Sequence, residues 1–155
     1  MGITIEGDAK TLTRKLGNIQ RRVKNPTRAW RSVGRFLSMQ VNQQFVTEGA
    51  HFGRKWRPLK PAYRMWKIRN GYGRKILVMT GEMKRSFTGR PMAIEEYMGN
   101  TAIFGSDNQK AIWHHNGTHR NGKQVNPPRP ILIVTREVRK GVRDKLADYV
   151  LGKDG

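Results

Sequence analysis

The stretch FVTEGAHFGRKWRPLKPAYRMWKIRNGYGRKILVMTGEMKRSF, Phe45 to Phe87, decides how the chain is read. Gly49 and Gly53 bracket a turn at its start. Trp56-Arg57-Pro58-Leu59 is excluded from a helix interior, because Pro58 has no N–H to donate and biases Arg57 toward extended backbone. Pro61 is suited to open a short helix carrying Tyr63, Met65, Trp66 and Ile68. Gly71 and Gly73 then release the chain ahead of Ile76-Leu77-Val78-Met79. Thr80 is placed to cap a turn holding Glu82, with Met83 and Phe87 on its apolar side. Nine cations lie in the middle of this stretch: Arg54, Lys55, Arg57, Lys60, Arg64, Lys67, Arg69, Arg74 and Lys75. No acidic residue stands among them, so local ion pairing cannot neutralise them.

Upstream, Ile3 and Ile5 alternate with Thr4 and Glu6, a short strand pattern ended by Gly7-Asp8. Asp8 caps a first helix, on which Leu12, Leu16, Ile19 and Val23 form one apolar stripe facing a core or a neighbour. Asn25-Pro26 breaks it, and Pro26 starts a second helix. There Trp30, Val33, Leu37, Val41 and Phe45 recur at helical spacing, with Phe36 alongside. An N-terminal helical hairpin follows.

Downstream, Met92 and Ile94, then Ala102 and Phe104 across a Gly99-Asn100 turn, predict two antiparallel strands. Asp107 is placed to cap a short helix through Ala111-Ile112-Trp113, which Asn116-Gly117 ends. The polar residues up to Asn126 contain no core former and read as a loop. Pro127-Pro128-Arg129-Pro130 is rigid and extended, and Ile131 to Val134 reads as a strand. Thr135 caps a last helix with Val138, Val142, Leu146 and Val150 inside. Gly152 to Gly155 is a tail. Without repeats or low-complexity linkers, the pattern is one α+β domain over residues 1–155: helical hairpin, small antiparallel sheet, C-terminal helix.

Composition narrows the function. The 155 residues contain 31 Lys or Arg and 11 Asp or Glu, a net charge of +20, so 20 cations stay unmatched even if every carboxylate pairs internally. Such an excess favours polyanionic partners, nucleic acid or acidic protein. A hydrophobic content of 36% predicts a modest core, with some apolar surface buried between subunits. The absence of cysteine excludes disulfides, thiolate metal sites and cysteine nucleophiles. No apolar run approaches the roughly 20 residues that span a bilayer, and Met1-Gly2-Ile3-Thr4 has neither a basic start nor an apolar run, so neither a membrane partner nor an export signal is expected.

Catalytic chemistry is poorly served. His114, His115 and His119 are crowded into six positions with no carboxylate between Asp107 and Glu137, unlike the spread ligands of metal nucleases, and vicinal His114 and His115 point apart on most backbones. Glu95 and Glu96 are adjacent and face opposite sides of a strand. No serine occupies a nucleophile elbow, and Gly71-Tyr72-Gly73-Arg74-Lys75 lacks the spacing and the hydroxyl of a phosphate loop. No enzyme, metal site or cofactor is expected. Cations interleaved with Trp56, Tyr63, Trp66 and Tyr72 form a composition that binds phosphate backbones and stacks bases. The competing reading makes these rings core or interface anchors, and for Trp56 that reading is preferred.

The succession Phe45, Gly53, Trp56-x-Pro58-Leu59, Thr80-Gly81 and Ser86 resembles the phage virion morphogenesis (tail completion) family. Asn100-x-Ala102 with Gly105, the His114-x-x-Gly117 turn and Pro128-Arg129-Pro130-Ile131 match its second half. The resemblance covers most of the chain. It implies a non-enzymatic virion part, made in the host bacterial cytoplasm, that completes the tail or joins it to the head. Such proteins act as rings at the neck, six-fold favoured, beside other neck, tail-tube or head-connector proteins. Two departures are present: Met83 sits where leucine is common, a volume-conserving exchange, and the insert carrying Tyr72 and Lys75 is unusually basic. DNA bound without sequence specificity is a further expected partner. A plain non-sequence-specific nucleic-acid-binding protein is the alternative.

Overall fold

The computed structural model describes residues 8–153. The strand expected at Ile3 and Ile5 and the end of the expected tail lie outside these residues. The elements run α1 (Ala9–Lys24), α2 (Thr27–Val46), a 3-10 turn (Ala50–Phe52), α3 (Pro61–Arg69), α4 (Glu82–Thr88), β1 (Ile94–Met98), β2 (Thr101–Gly105), α5 (Lys110–Asn116), β3 (Thr118–Arg120), β4 (Lys123–Asn126) and α6 (Arg136–Leu151). This is the α+β architecture expected: a helical pair, small antiparallel sheets and a C-terminal helix.

Helix α2 is the spine. Ala29, Val33, Gly34, Ser38, Val41, Gln44 and Phe45 form its buried face, at helical spacing. Helix α6 packs along it where Gly141 admits Phe36: a Cβ on Gly141 would stand 2.2 Å from the Phe36 Cζ. The β1–β2 hairpin closes on the same helix at Gly34, whose Cβ would lie 2.8 Å from Phe104, and Trp30 Nε1 donates to the Gly99 carbonyl at 3.1 Å. α6 also meets α1, through Arg22 donating to the Tyr149 carbonyl (2.7 Å) and the Tyr149 hydroxyl donating to the Asn25 carbonyl (2.8 Å).

The caps follow sequence chemistry with two corrections. The Asp8 side chain accepts from the N–H groups of Lys10 and Thr11, and the Thr135 hydroxyl from that of Val138. The residue before α4 is instead Gly81, held at φ 82°, and the Thr80 hydroxyl reaches the Glu82 N–H only at 3.5 Å. At α5, Asn108 rather than Asp107 takes the Lys110 N–H, at 3.1 Å.

Three further expectations change. The residues read as a polar loop form the β3–β4 hairpin, exposed along β4 and without a core residue, held by backbone pairing. Ile131–Val134 is not a strand: Ile131 is buried in the core and its N–H goes to His115 Nδ1 at 3.3 Å, which leaves no ladder for it to join. Along α1 the stripe, expected to face a core or a neighbour, is turned away from the core, with Leu12, Leu16 and Val23 50–59% exposed. In α6 only Val138 is fully buried, while Val142, Leu146 and Val150 are half-buried.

The core sits at the C-terminal end of α2. Val41, Phe45, Trp56, Ile76, Met83, Ala111 and Ile131 pack together, with Leu59, Leu77, Val78, Phe87 and Leu132 around them. Most of these residues come from irregular segments, so their polar backbone needs partners from side chains.

Candidate functional site

Trp56 is the hub of those partnerships. It is 4% exposed, its ring meets Phe45 edge-on at 5.5 Å and 82°, and its Nε1 donates to the Pro130 carbonyl at 2.9 Å. Gln44 Nε2 donates to the same carbonyl at 2.9 Å, while its Oε1 accepts from Phe52 N–H at 3.2 Å. The proline-rich segment is thus tied into the core of its own chain at Pro130. Trp56 N–H closes on the Glu48 carbonyl at 2.7 Å, next to Gly49 at φ 97°. A Cβ on Gly49 would lie 2.6 Å from the Trp56 nitrogen, so only glycine fits that bend.

The remaining motif residues pin neighbouring loops. Gly53, at φ 88°, closes the 3-10 turn. Ser86 Oγ meets Ser106 Oγ at 2.6 Å, just past Gly105 at the end of β2. Gly117 is held at φ 77°, where a Cβ would stand 2.9 Å from the Pro128 nitrogen. Pro58 and Leu59 run beside Thr80 and Gly81 along a cleft of about 700 Å³.

Two cations are buried. Lys67 is 2% exposed and donates through Nζ to the carbonyls of Lys75 and Val78, both at 2.7 Å. This corrects its assignment to a polyanion-facing surface: its ammonium closes the reversal between α3 and α4 and does not reach solvent. Burial pulls its pKa below the ordinary lysine range, opposed by the Glu48 carboxylate. Arg129 is 6% exposed, and its Nε and Nη2 donate to the Arg57 carbonyl at 3.1 and 3.0 Å. Burial and then the Arg57 charge lower its pKa too.

The other eight cations of the 54–75 stretch stay exposed. Beside them Tyr63 and Trp66 stack at 5.7 Å and 13°, and Tyr72 continues the row at 5.7 Å from Trp66. Tyr63 and Trp66 are both 45% exposed. Here α3 turns its rings outward and its lysine inward, the reverse of ordinary amphipathic order.

The histidines take structural positions. His115 accepts from Ile131, His51 pairs with Gln40 at 2.8 Å, and the His114 carbonyl accepts from Arg129 N–H at 2.7 Å. Burial, with Arg129 and Lys110 nearby, pulls the His114 pKa below the usual imidazole range. Gln44, Glu48 and Lys67 are structural polar groups that no local pattern marks, because none breaks the apolar period of its neighbours. Glu48 holds φ 51° and accepts from Ile76 N–H at 2.9 Å.

The fold thus spends buried polar groups on its own loops and shows a basic aromatic face outside. The chain belongs to the phage virion morphogenesis family, whose family model matches residues 7–151. Its role therefore lies in phage virion morphogenesis. No curated protein and no solved structure matches it. Among the described residues no helix is long and apolar enough to cross a membrane.

Proposed function

We propose that the chain, acting as one domain over residues 1–155, is a ring-forming subunit at the neck of a tailed phage. It completes the tail or joins it to the head, beside other neck, tail-tube or head-connector proteins, and is carried in the virion after synthesis in the host cytoplasm. The observation that carries this reading is α1, whose leucines stay half exposed on a chain with so little apolar residue to spare. A stripe of this kind is a contact for another copy or a neighbouring ring. The resemblance favours six copies.

A ring of such subunits brings charges of +20 together, and screening is only partial below about 10 Å in 0.1 M salt. Something negative must offset that repulsion. The outer face of α3, with stacked rings among Arg64, Arg69 and Arg74, is suited to phosphate and to bases, so DNA in the neck channel is its partner. The same face supports the second reading, a free-standing nucleic-acid-binding protein. On either reading, binding of two unrelated 30-base-pair duplexes is expected to be equal and to fall steeply with salt. Affinity that ignores salt would exclude phosphate as the partner of α3, and affinity that differs between the two sequences would exclude binding without sequence preference.

A further inference from the structure

The cleft bordered by α3, residues 77–83, α5 and β4 is not used by anything described so far. Its walls are apolar where Leu59, Leu77, Met83 and Val125 line it, and its volume of about 700 Å³ lies within the range of ligand sites. Its charge is one-sided. Beside the committed Lys67, the cations Arg57, Lys60, Lys110 and Arg129 line it against a single carboxylate, Glu82.

Arg129 is the telling member. The residue is 6% exposed, yet among the described residues no carboxylate pairs with its guanidinium, whose acceptor is the Arg57 carbonyl. A guanidinium carries five N–H groups, and one carbonyl engages only part of that fork. Burying a cation without a counter-charge is costly, and a carboxylate taking the rest of the fork in bidentate fashion would offset that cost. β4 adds backbone: among the described residues it pairs only with β3, and Gln124, Val125 and Asn126 of its four residues line the cleft. An extended segment could therefore pair with it as an added strand.

We propose that this cleft docks an extended, acidic, apolar-anchored segment of a different virion protein, whose carboxylate is taken by Arg129. A second copy of this chain fits poorly, since it brings +20 and only 11 acids. DNA fits poorly as well. Phosphates would find the exposed cations of α3 first, and the apolar walls around a recessed guanidinium would go unused.

The inference rests on the chain being built into tails, and immunoblotting of purified particles tests that separately. Absence from particles would overturn both readings. In particles, carbodiimide should join Lys60 and Lys110 directly to Asp or Glu side chains of another protein, read by mass spectrometry. Val125→Glu puts a competing carboxylate on an exposed wall position and should enter particles about tenfold less well than Val125→Gln, with melting unchanged. The cleft assignment is overturned by any of four results. These are cross-links only to a second copy, Lys110 open to acylation in particles, protection of Lys110 that disappears with nuclease, or equal entry of the two Val125 variants.

Discussion

Trp56→Ala is expected to destabilise the protein by roughly 3–5 kcal/mol and to lower its melting temperature by roughly 6 to 20 °C for a chain of this size. The substitution removes the ring that fills the space between Phe45 and Ile131, and with it the N–H that holds the Pro130 carbonyl. A loss of that size is a large share of the stability of a domain, typically about 5–15 kcal/mol. Trp56→Phe separates the two contributions. It keeps an aromatic ring and loses the N–H, while Gln44 still donates to Pro130, so the hydrogen-bond part should be only about 1 kcal/mol. Differential scanning calorimetry of both variants checks this. Unchanged melting of Trp56→Ala would show that the Trp-x-Pro-Leu segment is peripheral to the fold.

Changing Arg54, Lys55, Arg64, Arg69 and Arg74 together to Gln should lower the steepness of the DNA salt dependence by roughly 4 to 5 in the log–log slope. Affinity near 0.1 M salt should drop by roughly four orders of magnitude, the same slope change taken over the decade down from 1 M. These five are exposed and lie outside the cleft. Lys67 is left in place because its ammonium is committed to two carbonyls. Melting should stay level, or rise slightly as self-repulsion is relieved. An unchanged slope would mean that the stretch is a solvated face and that phosphate is bound elsewhere.

What the amino acids made legible was local. Asp8 and Thr135 announced their helices because a short polar side chain before an apolar period satisfies orphan N–H groups. Gly99-Asn100 between alternating segments announced the β1–β2 hairpin, and α2 was readable from the spacing of Val33, Val41 and Phe45. The rest depends on contacts distant in sequence. Ile131–Val134 has strand composition, but the core takes Ile131 and His115 takes its N–H, so no ladder forms. Burial of Lys67 is set by carbonyls eight and eleven residues away, turned inward by a chain reversal that includes Gly71, Gly73 and Leu77 at positive φ. No periodicity within α3 carries that information. β3 and β4 hide their pairing because neither buries a side chain that would mark a period of two. For the motif residues, order in the sequence was visible. Their convergence on the Pro130 carbonyl was not, since Gln44, Trp56 and Pro130 are separated by up to 86 residues.

The central proposal is that this subunit completes the tail or joins it to the head. Electron microscopy of lysates from a phage that cannot make the protein tests it most directly. The account predicts DNA-filled heads and separate tails that do not attach, with joining restored when purified protein is added to the lysate. Intact, infectious particles in normal number without the protein would contradict it.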